Sequence, residues 1–577
     1  MNDILNVAVH FIEQFECFKL LHPIDYADLA GICIVGLVAM WLSGFVFKTL
    51  VIFVLRQFGC STPELYSKFP ALSWRSFYLL KMRVARWHEH IFEFGKQQTG
   101  GFASVFAVLT NRFSEGKLFI GRPWVCGFGI YQSIGIKLTK HMLIVAGTGS
   151  GKTSTVIASL AKWKGSAFVL DPTSIISNTL AQNDKKREWL ELSPYEPETT
   201  AQINPFDDAK AAVIREGADA AIKWSYRIGE SFIKTEPNAK QPFFTDASRG
   251  FFVGLFLHIL SAHPEEEHNL GVLRELIIHG YKVFDDDGKL LSNPEESRQL
   301  LYRSMLNNPA HGGAVAGAAS PFINASPETK GNLEATLQEK TKILDIPAVR
   351  HFFAKTTRPL SDLKTKNDVV FILNIPLFSL RQELNGVAML VQNLVFYTFE
   401  SVKERNGLTL FVTDEAQAQG YNPTLETAMP TARSQGLIII VITQDLDGME
   451  AEYKKTYLAF IGNADIVLWM ATAHPSNKRR LCSLLGKKTL VTKDRDTGRK
   501  TYREVDVMTE EQIERFLSPE TGNFIATVAG KRAWRCKLDP FFKSLPVWSY
   551  QPDPNHKEPM LRRIGRFFFG LKAKKIS

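Results

Sequence analysis

Apolar residues fall along this chain in three patterns. The first is a single long run, Leu29 to Phe47 (LAGICIVGLVAMWLSGFVF), with no charged side chain. As a helix it reaches about 28 Å, close to the roughly 30 Å hydrocarbon core of a bilayer. A second apolar stretch follows Lys48 and ends at Leu55. Lys48 can snorkel to the interface, so 29–55 reads as one tilted membrane anchor. A signal peptide would need a basic leading flank, whereas Glu13, Glu16, Asp25 and Asp28 make that flank acidic. A buried core helix is the other reading. Gly101 to Thr110 is apolar but too short to cross. Lys19 is the one basic side chain before the run; Lys48, Arg56, Lys68, Arg75, Lys81, Arg83 and Arg86 follow it. The positive-inside rule therefore predicts residues 1–28 outside, and the body, starting with a juxtamembrane segment at 56–115, in the cytoplasm.

The second pattern is a set of short apolar runs ending in a polar residue, as in strands buried on both faces of a parallel sheet. Met142 to Val145, Ala167 to Leu170, Asp368 to Leu373, Leu408 to Glu415, Gly436 to Thr443 and Asp465 to Met470 fit it. The third pattern lies between Phe206 and Ile346, where strand signals are few. Phe251 to Leu260, Leu270 to His279, Glu296 to Leu306 and Leu333 to Leu344 have helical spacing or length, with turn clusters such as Asp285-Asp286-Asp287-Gly288 between them. The Gly/Ala-rich stretch from Gly312 to Ala319 is expected to be a flexible loop. The predicted organisation is an α/β domain at 116–205 and 366–550, with an all-helical domain inserted at 206–365 and a tail at 551–577.

Composition adds the partner class. The chain has 577 residues, enough for two or three domains, and is 45% hydrophobic and 22% charged, which excludes a largely disordered protein. Lys+Arg 69 against Asp+Glu 59 gives +10, favouring an anionic partner, either nucleic acid or an acidic lipid surface. The six cysteines are scattered without a CxxC pair, so reduced thiols are expected rather than a disulfide framework or a zinc site. Leu490 to Val505 has the pattern of a hairpin turning at Asp496-Thr497-Gly498, with Lys487, Lys488, Lys493, Arg495, Arg499, Lys500 and Arg503 along it. It reads either as a phosphate-backbone contact or as a solvated edge guarded by charge. The tail sets Arg562, Arg563, Arg566, Lys572, Lys574 and Lys575 around Phe567 to Phe569. It suits an anionic membrane surface or a partner groove, or a solvated end.

The chemistry concentrates where the first strand meets a glycine-rich turn. Ala146-Gly147-Thr148-Gly149-Ser150-Gly151-Lys152-Thr153 follows an apolar strand and opens a helix with Val156, Leu160 and Trp163 on one face. This is the strand–loop–helix context of a P-loop, with Ala146 where the strict pattern starts on glycine. Backbone N–H groups of such a loop cradle phosphate, the lysine reaches the β/γ-phosphates and the threonine hydroxyl ligates Mg²⁺. The cofactors expected are therefore ATP and Mg²⁺. Asp414 ends a buried strand and can hold the Mg²⁺ shell; Glu415 beside it is a candidate general base for an attacking water. Gln444 ends the next strand, where it can sense the γ-phosphate, orient water or simply close a turn.

Taken in order, these segments resemble the type IV secretion coupling proteins, the TraG/TraD-like family of conjugative DNA transfer ATPases. The likeness runs from about Gly121 to Tyr550. Its anchors are the P-loop, Asp171-Pro172, Asn204-Pro205, Phe243 to Leu260, Thr329 to Pro347, Phe411 to Ala416, Arg433-Ser434-Gln435-Gly436 leading to Gln444, Gly462 to Asp465, and Met508 to Leu517. Thr173 stands where the family often has lysine. The resemblance implies a RecA-like motor domain, an all-alpha domain on the cytoplasmic side of the inner membrane, a homo-hexameric ring, and ATP hydrolysis coupled to delivery of DNA with bound relaxase to secretion channel proteins; the flanking charges put the N-terminus on the periplasmic side. The alternatives are a secretion ATPase for protein effectors only, and a docking receptor that does not hydrolyse ATP. In such a ring Arg433, just before the Leu437 strand, can face the neighbouring subunit's nucleotide as a catalytic arginine; a surface arginine or an ion pair within the chain is the other reading.

Overall fold

The computed structural model describes residues 102–103, 105–124, 132–234, 242–283, 292–472, 474–493 and 500–552. The anchor at 29–55, the hairpin tip Asp496-Thr497-Gly498, the tail beyond Pro552 and four of the cysteines (Cys17, Cys33, Cys60, Cys126) lie outside the described residues. Cys482 and Cys536 are free thiols.

The strands are β1 (Leu118–Pro123), β2 (Ile134–Ile136), β3 (His141–Ala146), β4 (Ala167–Asp171), β5 (Glu188–Leu192), β6 (Val369–Asn374), β7 (Thr409–Thr413), β8 (Leu437–Thr443), β9 (Ala464–Met470), β10 (Lys487–Lys493), β11 (Lys500–Asp506), β12 (Asn523–Val528) and β13 (Trp534–Lys537). Eleven of them form one sheet in the order β2-β1-β13-β12-β9-β3-β8-β7-β4-β6-β5. From β9 to β5 every pairing is parallel. From β9 outward through β12, β13 and β1 to β2 every pairing is antiparallel. The six expected apolar runs are β3, β4, β6, β7, β8 and β9, with boundaries moved by a residue or two. Both faces of these strands are covered, which is why they read as unbroken apolar runs. In β8, Leu437, Ile439 and Val441 point into one core, and Ile438, Ile440 and Ile442 into the other.

The helix Lys152–Lys162 lies on the second face, burying Val156, Ile157, Ala158 and Leu160. The first face carries the helix Asn385–Ser401 and the stretch between β5 and β6, whose regular elements among the described residues are all helices. Local chemistry starts these helices where they start. Asn204 accepts from Phe206 N with Pro205 in the first turn, Asn293 and Glu296 form a reciprocal capping box, and Ser326 accepts from Thr329 N. Leu333, Leu337, Phe252 and Phe256 then join Leu143 and Val145 of β3 in one continuous core. Pro242–Ala262 is the one helix among the described residues long and apolar enough to cross a membrane, and more than half of its apolar stretch is buried inside the protein.

The expected loop at Gly312 to Ala319 is corrected by the structure. A tight turn with left-handed His311, Gly312 and Gly313 leads into a helix, Ala314–Asn324. The small residues there are a contact surface. A Cβ placed on Gly254, in the long apolar helix, would collide with the Cβ of Ala318. The two helices approach closely because neither has a larger side chain at the crossing. The basic hairpin forms as β10 and β11, paired from Lys487↔Asp506 to Lys493↔Lys500.

The crossing yields a paired prediction. Replacing glycine by alanine inside a helix ordinarily stabilises by about 1 kcal/mol. Gly317 faces open space, so Gly317→Ala should raise the melting temperature of the purified protein. Gly254→Ala should lower it, because overpacking costs about 1–3 kcal/mol and outweighs the propensity gain. Equal shifts in the two variants would show that the helices are not held in contact at Ala318.

Candidate nucleotide site

The site is assembled at the C-terminal ends of three adjacent parallel strands, the edge where open α/β sheets bind ligands. β3 runs into the glycine loop, β7 into Asp414-Glu415, and β8 into Gln444. β8 lies between the other two, with Val145 beside Thr443 and Thr413 beside Val441. That order brings segments hundreds of residues apart to one place.

Each loop position has an identifiable demand. Ala146 is the last residue of β3, fully buried and level with Met470 of β9. The first motif position is therefore still strand, and a methyl group is accommodated there. A Cβ on Gly147 would run into the carbonyl oxygen of Ala471. Gly149 (φ 73°) and Gly151 (φ 82°) occupy left-handed conformations that favour glycine. Gly151 caps the helix Lys152–Lys162 without a side-chain hydrogen bond, so the first N–H groups of that helix remain available to an anion. The buried hydroxyl of Ser150 has no hydrogen-bond partner among the described residues. Together the cradle, the open helix end and the orphaned hydroxyl fit a phosphate chain.

Lys152 faces the two carboxylates. Its ammonium is paired with Glu415 and stands 3.6 Å from Asp414 Oδ1. Burial raises the Asp414 carboxyl above its ordinary value, and the Lys152 charge pulls it back down. Gln444 donates from Nε2 to both oxygens of Glu415 at 3.1 Å. Glu415 itself is left-handed (φ 56°, ψ 52°), a conformation costing a non-glycine residue about 1–2 kcal/mol. Thr153 follows Lys152 in the first turn of the helix. The structure thus brings together Lys152, Asp414, Glu415 and Gln444 beside Ala146 to Thr153.

Arg433 is not among them. It sits in the turn before β8, at the opposite end of the sheet from Gln444. There it faces His141, the first residue of β3, whose imidazole is held down at about 4 chiefly by burial, with Arg433 adding to the effect. Asp171, at the end of β4, accepts from Thr173 Oγ1 at 2.9 Å, Ile176 N at 2.8 Å and Ser177 N at 3.3 Å. The Thr173 hydroxyl is spent on this turn. Sequence reading missed a set of amides behind Glu415: Gln392 and Gln419, both buried, and the half-buried Gln417. The signal for one of them was visible, because Gln392-Asn393 interrupts the otherwise apolar helix Asn385–Ser401.

The pattern of the family described as "Type IV secretory system Conjugative DNA transfer" matches residues 100–520. The chain belongs to this conjugative DNA transfer family. It is similar to a probable conjugal transfer protein TraG of Sinorhizobium fredii, at 24% identity over 57% of this chain and 48% of that protein. It is also similar to the conjugal transfer protein TraG of Agrobacterium fabrum, at 25% identity over 57% of this chain and 47% of that protein. The chain thus spans about half the length of the curated relatives it matches. Among solved structures, the bacterial conjugative coupling protein TrwBdeltaN70 in complex with sulphate aligns with a TM-score of 0.55 at 15% identity, covering 77% of this chain and 93% of that one. The plasmid coupling protein TrwB in complex with ADP and Mg²⁺ aligns at 0.54 and 14%, covering 77% and 94%. At this identity the likeness establishes the fold alone: the α/β arrangement with a large, mostly parallel sheet matches that of TrwB.

The Gly147 approach is testable. Gly147→Ala should weaken equilibrium binding of ADP by about tenfold or more, as an overpacked contact costing at least 1.4 kcal/mol at the site would. Unchanged affinity would show that the loop does not need to lie against Ala471.

Proposed function

We propose that this chain is an ATP-hydrolysing coupling protein, which delivers DNA with its bound relaxase to a type IV secretion channel. One observation carries the reading: within a conjugative DNA transfer family member, the P-loop lysine, two strand-end carboxylates and a glutamine converge on one sheet edge. A RecA-like ATPase domain is the architecture that places a glycine loop and a strand-end acid pair in this way. In this reading Ala146 to Thr153 surround the phosphates, and Lys152 exchanges Glu415 for the β/γ-phosphate oxygens. Thr153 and Asp414 would hold the magnesium ion. When bound, that ion neutralises charge on the phosphate oxygens. Glu415 takes a proton from the attacking water, and Gln444 keeps its carboxylate oriented. A docking receptor that binds without hydrolysing has no use for a base held in a strained conformation.

The run Leu29 to Phe47, with its basic following flank, supports an inner-membrane anchor with a periplasmic N-terminus and a cytoplasmic body. The net charge of +10 and the basic β10–β11 hairpin favour DNA as the cargo. A homo-hexameric ring would place Arg433 against a neighbour's nucleotide. Its position at the strand end remote from its own Lys152 leaves it away from its own subunit's nucleotide, which is compatible with a trans-acting role. There it would neutralise charge developing on the γ-phosphoryl group.

Lys152→Ala should abolish hydrolysis and nearly all nucleotide binding while leaving membrane insertion intact; near-normal turnover would remove the site assignment. Glu415→Gln should retain ATP binding and lose roughly 10²-fold or more in turnover, and loss of ATP binding instead would make Glu415 a metal or structural residue. Single-stranded or duplex DNA should stimulate the wild-type rate; indifference to both would favour protein cargo. Arg433→Ala subunits should bind ATP and hydrolyse it slowly, and mixing them with Lys152→Ala subunits should restore activity. Mixed rings no faster than their separate components would return Arg433 to a structural role.

A further inference from the structure

Behind Glu415 the chain closes on itself through amide side chains that belong to neither nucleotide motif. Gln419 folds back from the turn Ala416–Gln419 and donates from Nε2 to Thr413 Oγ1 at 2.5 Å. Thr413 is the last residue of β7, fully buried, two positions before Glu415. The bond therefore spans Asp414 and Glu415 like a clasp. The clasp is anchored from the outside. Gln392, buried in the helix Asn385–Ser401, donates to Gln419 Oε1 at 2.6 Å, and Asn385 donates to the Gln419 carbonyl at 2.7 Å. Within the turn, Ala418 N donates to the Glu415 carbonyl at 2.8 Å. On the β8 side, the Thr443 hydroxyl donates to Gln417 Oε1 at 3.1 Å, next to Gln444.

We propose that Gln419 is a positioning residue for Glu415, acting through Thr413 and held in place by Gln392. A left-handed glutamate persists only where its surroundings over-determine it, and this clasp supplies the determination. A helix facing only apolar neighbours would carry leucine or valine at position 392. The buried glutamine has its amide committed to Gln419 and to the Ala388 carbonyl. Since Glu415 also meets Lys152 and Gln444, its carboxylate is fixed from the nucleotide side by charge and from behind by backbone. Removing the rear constraint should leave the phosphate cradle untouched and degrade the placement of the carboxylate.

The inference rests on the reading of Glu415 as the base, and the experiment separates the two. Steady-state ATP hydrolysis and equilibrium ADP binding are measured on the full-length, detergent-solubilised protein. Gln419→Leu should lower kcat by about tenfold or more, the scale of a misplaced catalytic group, with ADP affinity changed by less than about twofold. Thr413→Val, nearly isosteric, should do the same, and the Thr413→Val/Gln419→Leu combination should fall no further than either alone. The Gln392→Leu/Gln419→Leu combination replaces both buried amides by apolar groups, so it should recover melting temperature without recovering kcat. Recovery of kcat together with stability, or additive losses in the Thr413 combination, would overturn the positioning role. If Glu415→Gln is impaired while the Gln419 variants are not, the clasp is wrong and the base stands. If Glu415→Gln hydrolyses ATP at the wild-type rate, both fall.

Discussion

The placement of β8 between β3 and β7 is the constraint on which the rest of the site depends. Strand order decides that Lys152, Glu415 and Gln444 share one edge, because Glu415 and Gln444 follow closely on the ends of β7 and β8, and Lys152 on the glycine loop that ends β3. The register is pinned on both sides: Met142 to Val145 of β3 run level with Ile440 to Thr443, and Thr409 to Thr413 of β7 with Leu437 to Val441. A slip of one residue in β8 would exchange its two apolar faces and turn Thr443 away from Gln417. With apolar cores on both faces, such a slip exposes nothing to water, so the two cores constrain it weakly. The polar contacts at the strand ends therefore select the register. Ile439 N donates to His141 Nδ1 at one end, and Thr443 meets Gln417 at the other.

Electrostatics at that edge are deliberately unbalanced. One ammonium stands against two carboxylates, with Asp414 almost wholly buried. Burying an ion pair is costly unless the remaining valences are satisfied, and here the surplus is one negative charge among groups removed from water. Burial raises the Asp414 carboxyl, and the Lys152 ammonium works against that rise. Immediately beside it, the open end of the helix Lys152–Lys162 offers positive potential to an anion. The site therefore favours a cation near Asp414 and an anion at the loop. That dual preference is the one a metal-bound phosphate chain satisfies, and it arises from two neighbouring strand ends rather than from any single residue.

What could be read from sequence follows how strongly each element depends on its own residues. The parallel strands were legible because burial on both faces demands uninterrupted apolar runs, and the glycine loop because phosphate geometry demands glycine at fixed spacing. β5 (EWLEL) escaped notice as an edge strand with partly exposed glutamates. The antiparallel extension escaped because β2 and β13 are only three and four residues long, and β1 (LFIGRP) and β12 (NFIATV) break their apolar runs with glycine, proline or polar residues. The stretch from Gly312 to Ala319 misled because small residues signal flexibility in solution and close approach in a core, and only the Gly254 contact tells these apart. Gln419 was invisible for a similar reason: its meaning lies in Thr413 and Gln392, residues that sequence alone does not bring together.

The helices between β5 and β6 do not stand apart from the nucleotide-bearing sheet. Phe252, Leu333 and Leu344 belong to the same core as Leu143, Val145 and Phe411. Asn393 donates to Ser231 at 3.0 Å, tying the helix Asn385–Ser401 to the helix Asp219–Phe232, one residue from where Gln392 meets Gln419. Close-packed interiors deform little, so a change at the strand ends cannot be absorbed by a loose hinge between two separate bodies. It must be met by repacking along the helix Asn385–Ser401, whose buried amides fix its placement on both sides. The polar pair in that apolar helix costs desolvation: the Gln392 and Asn393 amide nitrogens donate to Gln419 and Ser231, while Gln392 Oε1 and Asn393 Oδ1 are buried without a partner among the described residues. With that cost already incurred, the arrangement of layers that pairs both amide donors is favoured over any shift that would break them as well.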